Sequence, residues 1–480
     1  MTISSPGIGS GLDVNSIITQ LMSIERQPLV ALQNKSAAIQ SQISEYGKIK
    51  SAMSTLRDAA LKLTEKTTWG MTVGSSADAA SIGVGVTGGA AAGNYSVQVL
   101  ALAKAQSLAS GVYADSTATP GAGTLHIETG SWGPGQTSFT PGSTGAVDIS
   151  IEATDTLAQV RDKINAAGAG VKATILTDAS GARLLMRSSA TGVANAFRTS
   201  AIDADGNNSD ASGLSALAFD PSSGSAVMSQ SQAASDASAT FNGLAITSAS
   251  NTLANIVDGV TLTLSRATDA PVDISIAQDT EGMKQKVQGF VDAYNALATL
   301  ISGEVKYDAA SKTAGPLQGD SAAVGIQRQM RSLVGAVSGA STAFSRLSDI
   351  GLEMQKDGTL SVNADKLDAA FANLPELQKF LANSDPLVPD NNGMARQFRA
   401  MGDAMLGIDG VISTRTNGLS QRIETNQDQQ DSLENRLAQT QRRLLAQYTA
   451  LDARLGQMSA LSAYVTQQMA MLMNSSNNKN

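Results

Sequence analysis

The chain has 480 residues, 42% hydrophobic, 4% aromatic and 16% charged, with 34 basic against 42 acidic side chains and a net charge of −8. That length accommodates about three domains at ~150 residues each. With no Cys and a single His126, the chain cannot build a Cys/His zinc site, a disulfide framework, a thiol nucleophile or a Cys-His pair. The acidic balance speaks against nucleic acid, whose phosphates call for clustered Lys and Arg.

No apolar run precedes the first basic residue, Arg26, so no cleavable secretory signal is expected. Asp13 or Asn15 can cap a short helix carrying Ile17, Ile18, Leu21, Met22 and Ile24. Pro28 interrupts it, and beyond Pro28 the residues Leu32, Ile39, Tyr46, Met53 and Ala60 recur every seven positions, joined by Ile43, Ile49, Leu56 and Leu63. The spacing predicts one long helix over 29–64.

From residue 69 to about 279 the chain turns to Gly, Ser, Thr and Ala with period-two strands. Val97 and Val99, Val147 to Ile151, Val260 to Leu264, and Val272 to Ile276 each place aliphatic side chains on one face. Antiparallel sheets with one wet face follow. Thr156 and Gln159 read as a capping box for a helix with Leu157, Val160 and Ile164, and a second short helix is expected over 253–257. The pentapeptide Val-Asp-Ile-Ser-Ile occurs at 147–151 and 272–276 and reads as two amphipathic strands drawn from one small alphabet.

Helical spacing returns at an Asp279 cap with Val287, Phe290, Val291, Tyr294, Leu297 and Ile301, and again over 322–337. Asp357-Gly358 signals a hairpin with a type I′ turn. Further helices are expected over 366–381, broken at Pro375, and over 394–405. At the C-terminal end Leu437, Leu444, Leu451, Met458, Val465 and Leu472 stand seven apart, widened by Leu433, Tyr448, Leu455, Leu461 and Met469. Such a heptad favours a coiled-coil seam, with Thr440, Gln447 and Arg454 interrupting at would-be core positions. The uncharged stretch 455–478 is broken by Gln457, Ser459, Ser462, Thr466, Gln467 and Gln468, so no membrane span is expected. A helix of this length cannot bury its own stripe. The N-terminal heptad is the obvious partner, and both chain ends are expected to meet in a coiled stalk.

Candidate chemistry is sparse. Alternation puts His126 beside Glu128 on the polar face of a strand, where it reads as solvated. No Ser or Thr is expected to have a His near enough to activate it. Asp203, Asp205, Asn207 and Asp210 break the twelve-residue calcium scheme and read as a polar turn. Gly7, Gly9 and Gly11 follow no strand, so a phosphate-cradling loop is not expected. Glu424 and Asp428 lie i,i+4 on a solvated helix face. Most catalytic chemistry is thereby missing, and no cofactor or metal site is expected. Absence of Cys fits a reducing cytosol or export in an unfolded state.

The opening Gly-Ile-Gly-Ser-Gly-Leu-Asp-Val-Asn-Ser-Ile-Ile-Thr-Gln-Leu-Met at 7–22, followed by Glu25-Arg26-Gln27-Pro28-Leu29, resembles the N-terminal signature of the flagellar hook-associated protein 2 family, the filament caps at the distal tip of bacterial flagella. Phe241-Asn242-Gly243, Ser250-Asn251-Thr252 and Asp258-Gly259-Val260-Thr261-Leu262 are similar to the start of its C-terminal region. Phe290-Val291-Asp292-Ala293-Tyr294-Asn295, Gly315-Pro316-Leu317-Gln318-Gly319-Asp320, Ile350-Gly351-Leu352 and Asp357-Gly358-Thr359-Leu360 match further landmarks in family order. Residues 149–191 resemble the small β-α-β insertion motif shared by flagellins and hook-associated proteins.

The resemblance implies a multidomain α+β fold: long terminal coiled-coil helices, a central helical bundle and β-rich antiparallel head domains inserted between the helical parts. The corresponding bounds are 1–44 with 411–480 for the leg, 45–76 with 281–410 for the bundle, 77–110 with 236–280 for one head, and 111–235 for the second. It implies secretion through the flagellar export apparatus to the filament tip, and a ring homo-oligomer, a pentamer or another ring. The implied partners are flagellin, the hook-filament junction proteins and an export chaperone, with an adhesive role as a secondary expectation. Leu12, Ile17, Leu21 and Ile24 at one end and Leu437, Leu444, Leu451, Met458, Val465 and Leu472 at the other are expected to pack the legs onto filament subunits and one another. Met469, Met471 and Met473 suit a surface that tolerates shifting contacts. A flagellin-like filament subunit is the nearest alternative, and tip-only against full-length gold labelling separates the two. A stalked adhesin would be expected to carry a surface anchor, and a hydrolase would need a nucleophile and base that the sequence does not offer.

Overall fold

The computed structural model describes residues 13–310 and 312–477, with side chains through Met471. Ten α-helices lie among the described residues: α1 Val14–Glu25, α2 Gln27–Thr64, α3 Lys66–Trp69, α4 Leu157–Ala167, α5 Thr280–Val305, α6 Ser321–Val334, α7 Ala364–Phe371, α8 Leu374–Ala382, α9 Met394–Leu406 and α10 Val411–Asn477. The chain divides into two compact units, Met1–Thr68 with Lys284–Asn480, and Trp69–Met283.

The helical unit is built on the two heptad helices. Asp13 caps α1, its carboxylate accepting from Ser16 N. Arg26 is the joint, and Pro28 sits in the first turn of α2, where its missing N–H is no loss. Every heptad residue expected on α2 from Ile39 onward, Ile43 excepted, is buried: Ile39, Tyr46, Ile49, Met53, Leu56, Ala60 and Leu63. The expected stripe of α5 is likewise buried, and Phe398 of α9 meets Phe290 edge-on at 5.1 Å between centroids. Pro375 stands in the first turn of α8, so the chain breaks between α7 and α8 as its position predicts.

The hairpin Leu352–Met354 with Leu360–Val362 forms at the expected place with a different turn. Gly358 N donates to Gln355 O at 2.9 Å. Gly358 has φ 89° and Asp357 lies outside the left-handed region. This is a turn over 355–358 closed by a left-handed glycine, the three-residue loop of a bulged hairpin, in place of type I′. Asn295 of α5 fixes it, donating to Leu360 O and accepting from Leu360 N.

The β-rich unit has two apolar cores. In one, a five-stranded antiparallel sheet (Thr72–Ser76, Val272–Gln278, Gly93–Ala101, Ala237–Phe241, Leu244–Ser248, in spatial order) shares a core with the three-stranded sheet Thr252–Val257, Val260–Leu264 and Ile82–Val86. The other joins a five-stranded sheet ending in Gly123–Trp132 and the edge strand Phe139–Ile151 to a four-stranded sheet and α4. The capping box of α4 forms as expected between Thr156 and Gln159. The two Val-Asp-Ile-Ser-Ile copies differ in setting: 147–151 lies in an edge strand, 272–276 in a strand paired on both sides. The helix expected over 253–257 is a strand. Leu253 pairs with Leu262 and Val257 with Val260. A register shift at Asn255, with φ 53°, breaks the alternation and leaves a spacing that mimics a helix.

Candidate assembly interface

α10 runs unbroken for 67 residues, about 100 Å at ~1.5 Å per residue. Its near end is locked to the bundle. Asp320 caps α6, accepting from Ala322 N and Ala323 N through Oδ1. The same Oδ1 accepts from Tyr46 Oη of α2 at 2.6 Å, and Oδ2 accepts from Arg415 Nε and Nη2 of α10 at 2.9 and 2.6 Å. One buried carboxylate thus ties three helices. Burial works against its charge, yet the hydrogen bonds from Tyr46 and Arg415 hold it below the ordinary aspartate range. Burial, then the bond to Asp320, pushes the Tyr46 phenol well up.

Further along, Leu433 and Leu437 close a separate cluster with Val14, Ile18 and Met22 of α1, flanked by Leu29, Leu32, Leu444 and Tyr448. Two stripes compete on α1, and the one spaced by fours, 14, 18 and 22, takes the seam. Of the residues expected at the interface, Ile17 is half-buried while Leu21 and Ile24 are exposed, the latter 63%. Leu12 and the glycines at 7, 9 and 11 lie outside the described residues, as do the side chains of Leu472 and Met473. Leu437 is buried and Leu444 half-buried against α1. Thr440 is half-buried, and Gln447 and Arg454 are exposed beside the seam. They are not core interruptions, because α1 draws the core through Leu433, Leu437, Leu444 and Tyr448.

Beyond that contact the stripe opens, with Leu455 its last half-buried member. Leu451 is 45% exposed, Met458 67%, Val465 50%, and every residue from 457 to 471 is exposed. No charged residue stands between 455 and 478. At ~100° per residue, Met458, Val465 and Met469 form one stripe, and Leu461, Tyr464 and Met471 an adjoining one, roughly 160° wide together. An arc that broad exceeds a two-stranded seam and accepts more than one neighbour.

The β-rich unit corrects two readings. Glu128 is buried and accepts from Arg198 at 2.7 Å, because Arg198 stands directly opposite it on the neighbouring strand. His126 has Ser200 across from it on one side and Asp148 on the other, where its Nδ1 meets Asp148 Oδ1. A serine therefore does lie near the histidine. The row sits on an open sheet face, and the Ser200 hydroxyl makes no hydrogen bond to His126 among those described, so it lacks the nucleophile–base contact that chemistry requires. The polar turn at 203–210 is self-satisfied: Asp203 accepts from Ser215 N and Asp205 from Asn207 N. Among the described residues no group of three acidic or His side chains is placed to hold a metal, and no helix is long and apolar enough to cross a membrane.

Val14, the Asp320 lock and the buried Asn426 escaped sequence reasoning. The first shows only as an i−4 neighbour of Ile18, and the second as an N-cap signal before 322. Asn426 is legible as a polar residue seven before Leu433.

Comparison with known proteins places these features. Family models described as the N-terminus and the C-terminus of flagellar hook-associated protein 2 match residues 10–106 and 234–460, and one described as the flagellin hook IN motif matches 136–190. The flagellar hook-associated protein 2 of Escherichia coli O157:H7 is 31% identical over 494 residues, covering 100% of both chains. The A-type protein of Pseudomonas aeruginosa is 29% identical and covers 97% of each. A crystal structure of the flagellar cap protein FliD D1-D2-D3 domains from Escherichia coli aligns with a TM-score of 0.60 at 29% identity, over 78% of this chain and 99% of that one.

Proposed function

The chain belongs to the flagellar hook-associated protein 2 family, and we propose from that premise how it performs the family's task. It is a structural assembly factor that caps the distal tip of the bacterial flagellar filament, reached through the flagellar export apparatus. It self-associates and works with flagellin. The bare end of α10 is the gripping surface, and the uninterrupted exposure of 457–471 carries this reading. Exposed apolar arcs of this width are unfavourable in a lone molecule and favourable once neighbours cover them. Leu451, Met458 and Val465, with Leu21 and Ile24 of α1, pack onto filament subunits and onto other legs, so that incoming flagellin folds and inserts beneath the cap.

The finer points belong to the same proposal. The copies close into a ring, a pentamer or a near relative of one; the base of the ring meets the hook-filament junction proteins before growth begins; and an export chaperone covers α10 before secretion. Of the bounds expected from the sequence, 76/77, 110/111, 235/236 and 280/281 stand for the bundle and the two heads, while the leg–bundle division expected at 44/45 and 410/411 gives way to one near Asn426 on α10. The chain performs no reaction of its own. Replacing Leu451 and Val465 together by Asp tests the central point. In a strain lacking the native protein the variant should support no filament growth while keeping the unaltered helical content, and filaments of ordinary length would sink the proposal.

A further inference from the structure

We propose that Asn426 and Gln430 mark the boundary at which the leg, α1 with the turns of α10 packed on it, opens from the helical bundle as a unit of its own. Heptad spacing puts Asn426 midway between Leu419 and Leu433, and Gln430 seven before Leu437, so both stand at core positions of α10. Both are buried, at 2% and 8% exposure. Gln430 Nε2 donates to Asn426 Oδ1 at 2.6 Å. That bond leaves Asn426 Nδ2 buried with its own donor capacity unmet. An unmet buried donor opposes closure of the layer, and two amides supply none of the apolar burial a leucine pair would bring.

A second observation is independent of the amides: the apolar contacts stop at the same place. The cluster of Val14, Ile18, Met22, Leu433 and Leu437, with its flanking Leu29, Leu32, Leu444 and Tyr448, contains neither Leu419 nor Ile39. Those two are buried outside that cluster, at 0% and 3% exposure. Below them Asp320 fastens α2, α6 and α10 together. The coil thus holds two apolar cores separated by one polar layer, while the backbones of α2 and α10 run straight through it. Cooperative opening follows contiguous cores, and a polar residue at a coiled-coil core position specifies register at a cost in stability. The layer gives the leg one defined register when closed and one defined place to part. A cap leg that must leave and regain its contacts needs both properties. In that respect the inference deepens the capping reading, although its test does not use capping.

Hydrogen exchange of the dilute full-length protein, followed by mass spectrometry, reads the boundary directly. Amides of α1 and of 433–448 should exchange at least tenfold faster than those of 39–63 and 411–419, with the step falling between Leu419 and Leu433. In the Asn426→Leu/Gln430→Leu variant the leg amides should slow at least tenfold and the bundle amides stay as they were. Equal rates on both sides of the layer in the unaltered chain, or leg rates unmoved or raised in the leucine variant, would overturn the proposal. Should the leucine variant not fold, Asn426→Asp takes its place. It should speed leg exchange alone, and equal acceleration of the bundle, or none anywhere, counts against the boundary. A leg that exchanges as predicted while the Leu451/Val465 variant still caps filaments would leave this inference standing and remove the capping surface; the reverse pattern would do the opposite.

Discussion

Leu437 and Val465 belong to one seven-residue repeat on one helix, yet the first is 6% exposed and the second 50%. Their place in the repeat does not separate them. Around Leu437 the chain supplies its own cover, Val14, Ile18 and Met22 of α1, whereas 457–471 is exposed throughout. A heptad specifies that a seam exists and which residues line it; whether the seam is filled within the molecule depends on where other segments end. The near part of α10 is scaffold and the far part is surface. The family's task, capping the distal tip of the filament, gives a reason for the split.

The comparison can be broken by substitution, beginning with the deepest site. Leu419→Ala, at a fully buried position, should cost about 4 kcal/mol in the chemical denaturation of the helical unit, within the usual range for a core leucine. A cost under about 1 kcal/mol would mean that the near seam is not the scaffold described here. Asp320→Ala removes the shared acceptor of Tyr46 and Arg415 and should cost about 3 kcal/mol, the low end for breaking a buried ion pair. The same residue predicts a pH dependence. The folded Asp320 is held below its unfolded range, so its contribution is fully present above about pH 4 and is lost as pH falls toward the folded value. A denaturation series from pH 7 to 3 should show a decline in the unaltered protein that Asp320→Asn flattens.

Leu437→Ala, against α1, should cost about 2 kcal/mol and loosen α1 first, as read by limited proteolysis near its N-terminal end. The smallest effect belongs to the far end: Met458→Ala should change monomer stability by about 0.5 kcal/mol or less. Alanine at Met469, Met471 and Met473 together should likewise spare the monomer while weakening assembly in analytical ultracentrifugation. A large loss of monomer stability at either far-end site would show that the stripe is already covered and would erase the contrast with Leu437.

Much of the fold was legible because its signals are short-range. Asp13, Thr156 with Gln159, and Asp279 announce helix starts through hydrogen bonds spanning three residues, and all three form. The heptads of α2 and α10 needed only counting. The failures share a cause. Asn255 disrupts alternation by one residue, and only the partner strand 260–264 shows that 252–257 is extended. The turn at Asp357 is decided by one backbone angle. Ser200, His126 and Asp148 come from three strands and lie 22 to 74 residues apart in the chain, a juxtaposition set by register alone. At the interface the sequence supplied the stripe but not its division between covered and bare.

Taken alone, the order of residues determined most of the helices and the strands of clean alternation, where most helices begin, which faces are apolar, and that two long stripes need cover. These follow from spacing and capping, which act within one or two turns of chain. Tertiary structure decided which of two stripes on α1 meets α10, that Glu128 is buried against Arg198, that one copy of Val-Asp-Ile-Ser-Ile sits at an edge and the other inside a sheet, and that Asn426 interrupts the coil between two cores. Burial is a relation between surfaces distant in sequence, and it takes its value only when both surfaces are in place.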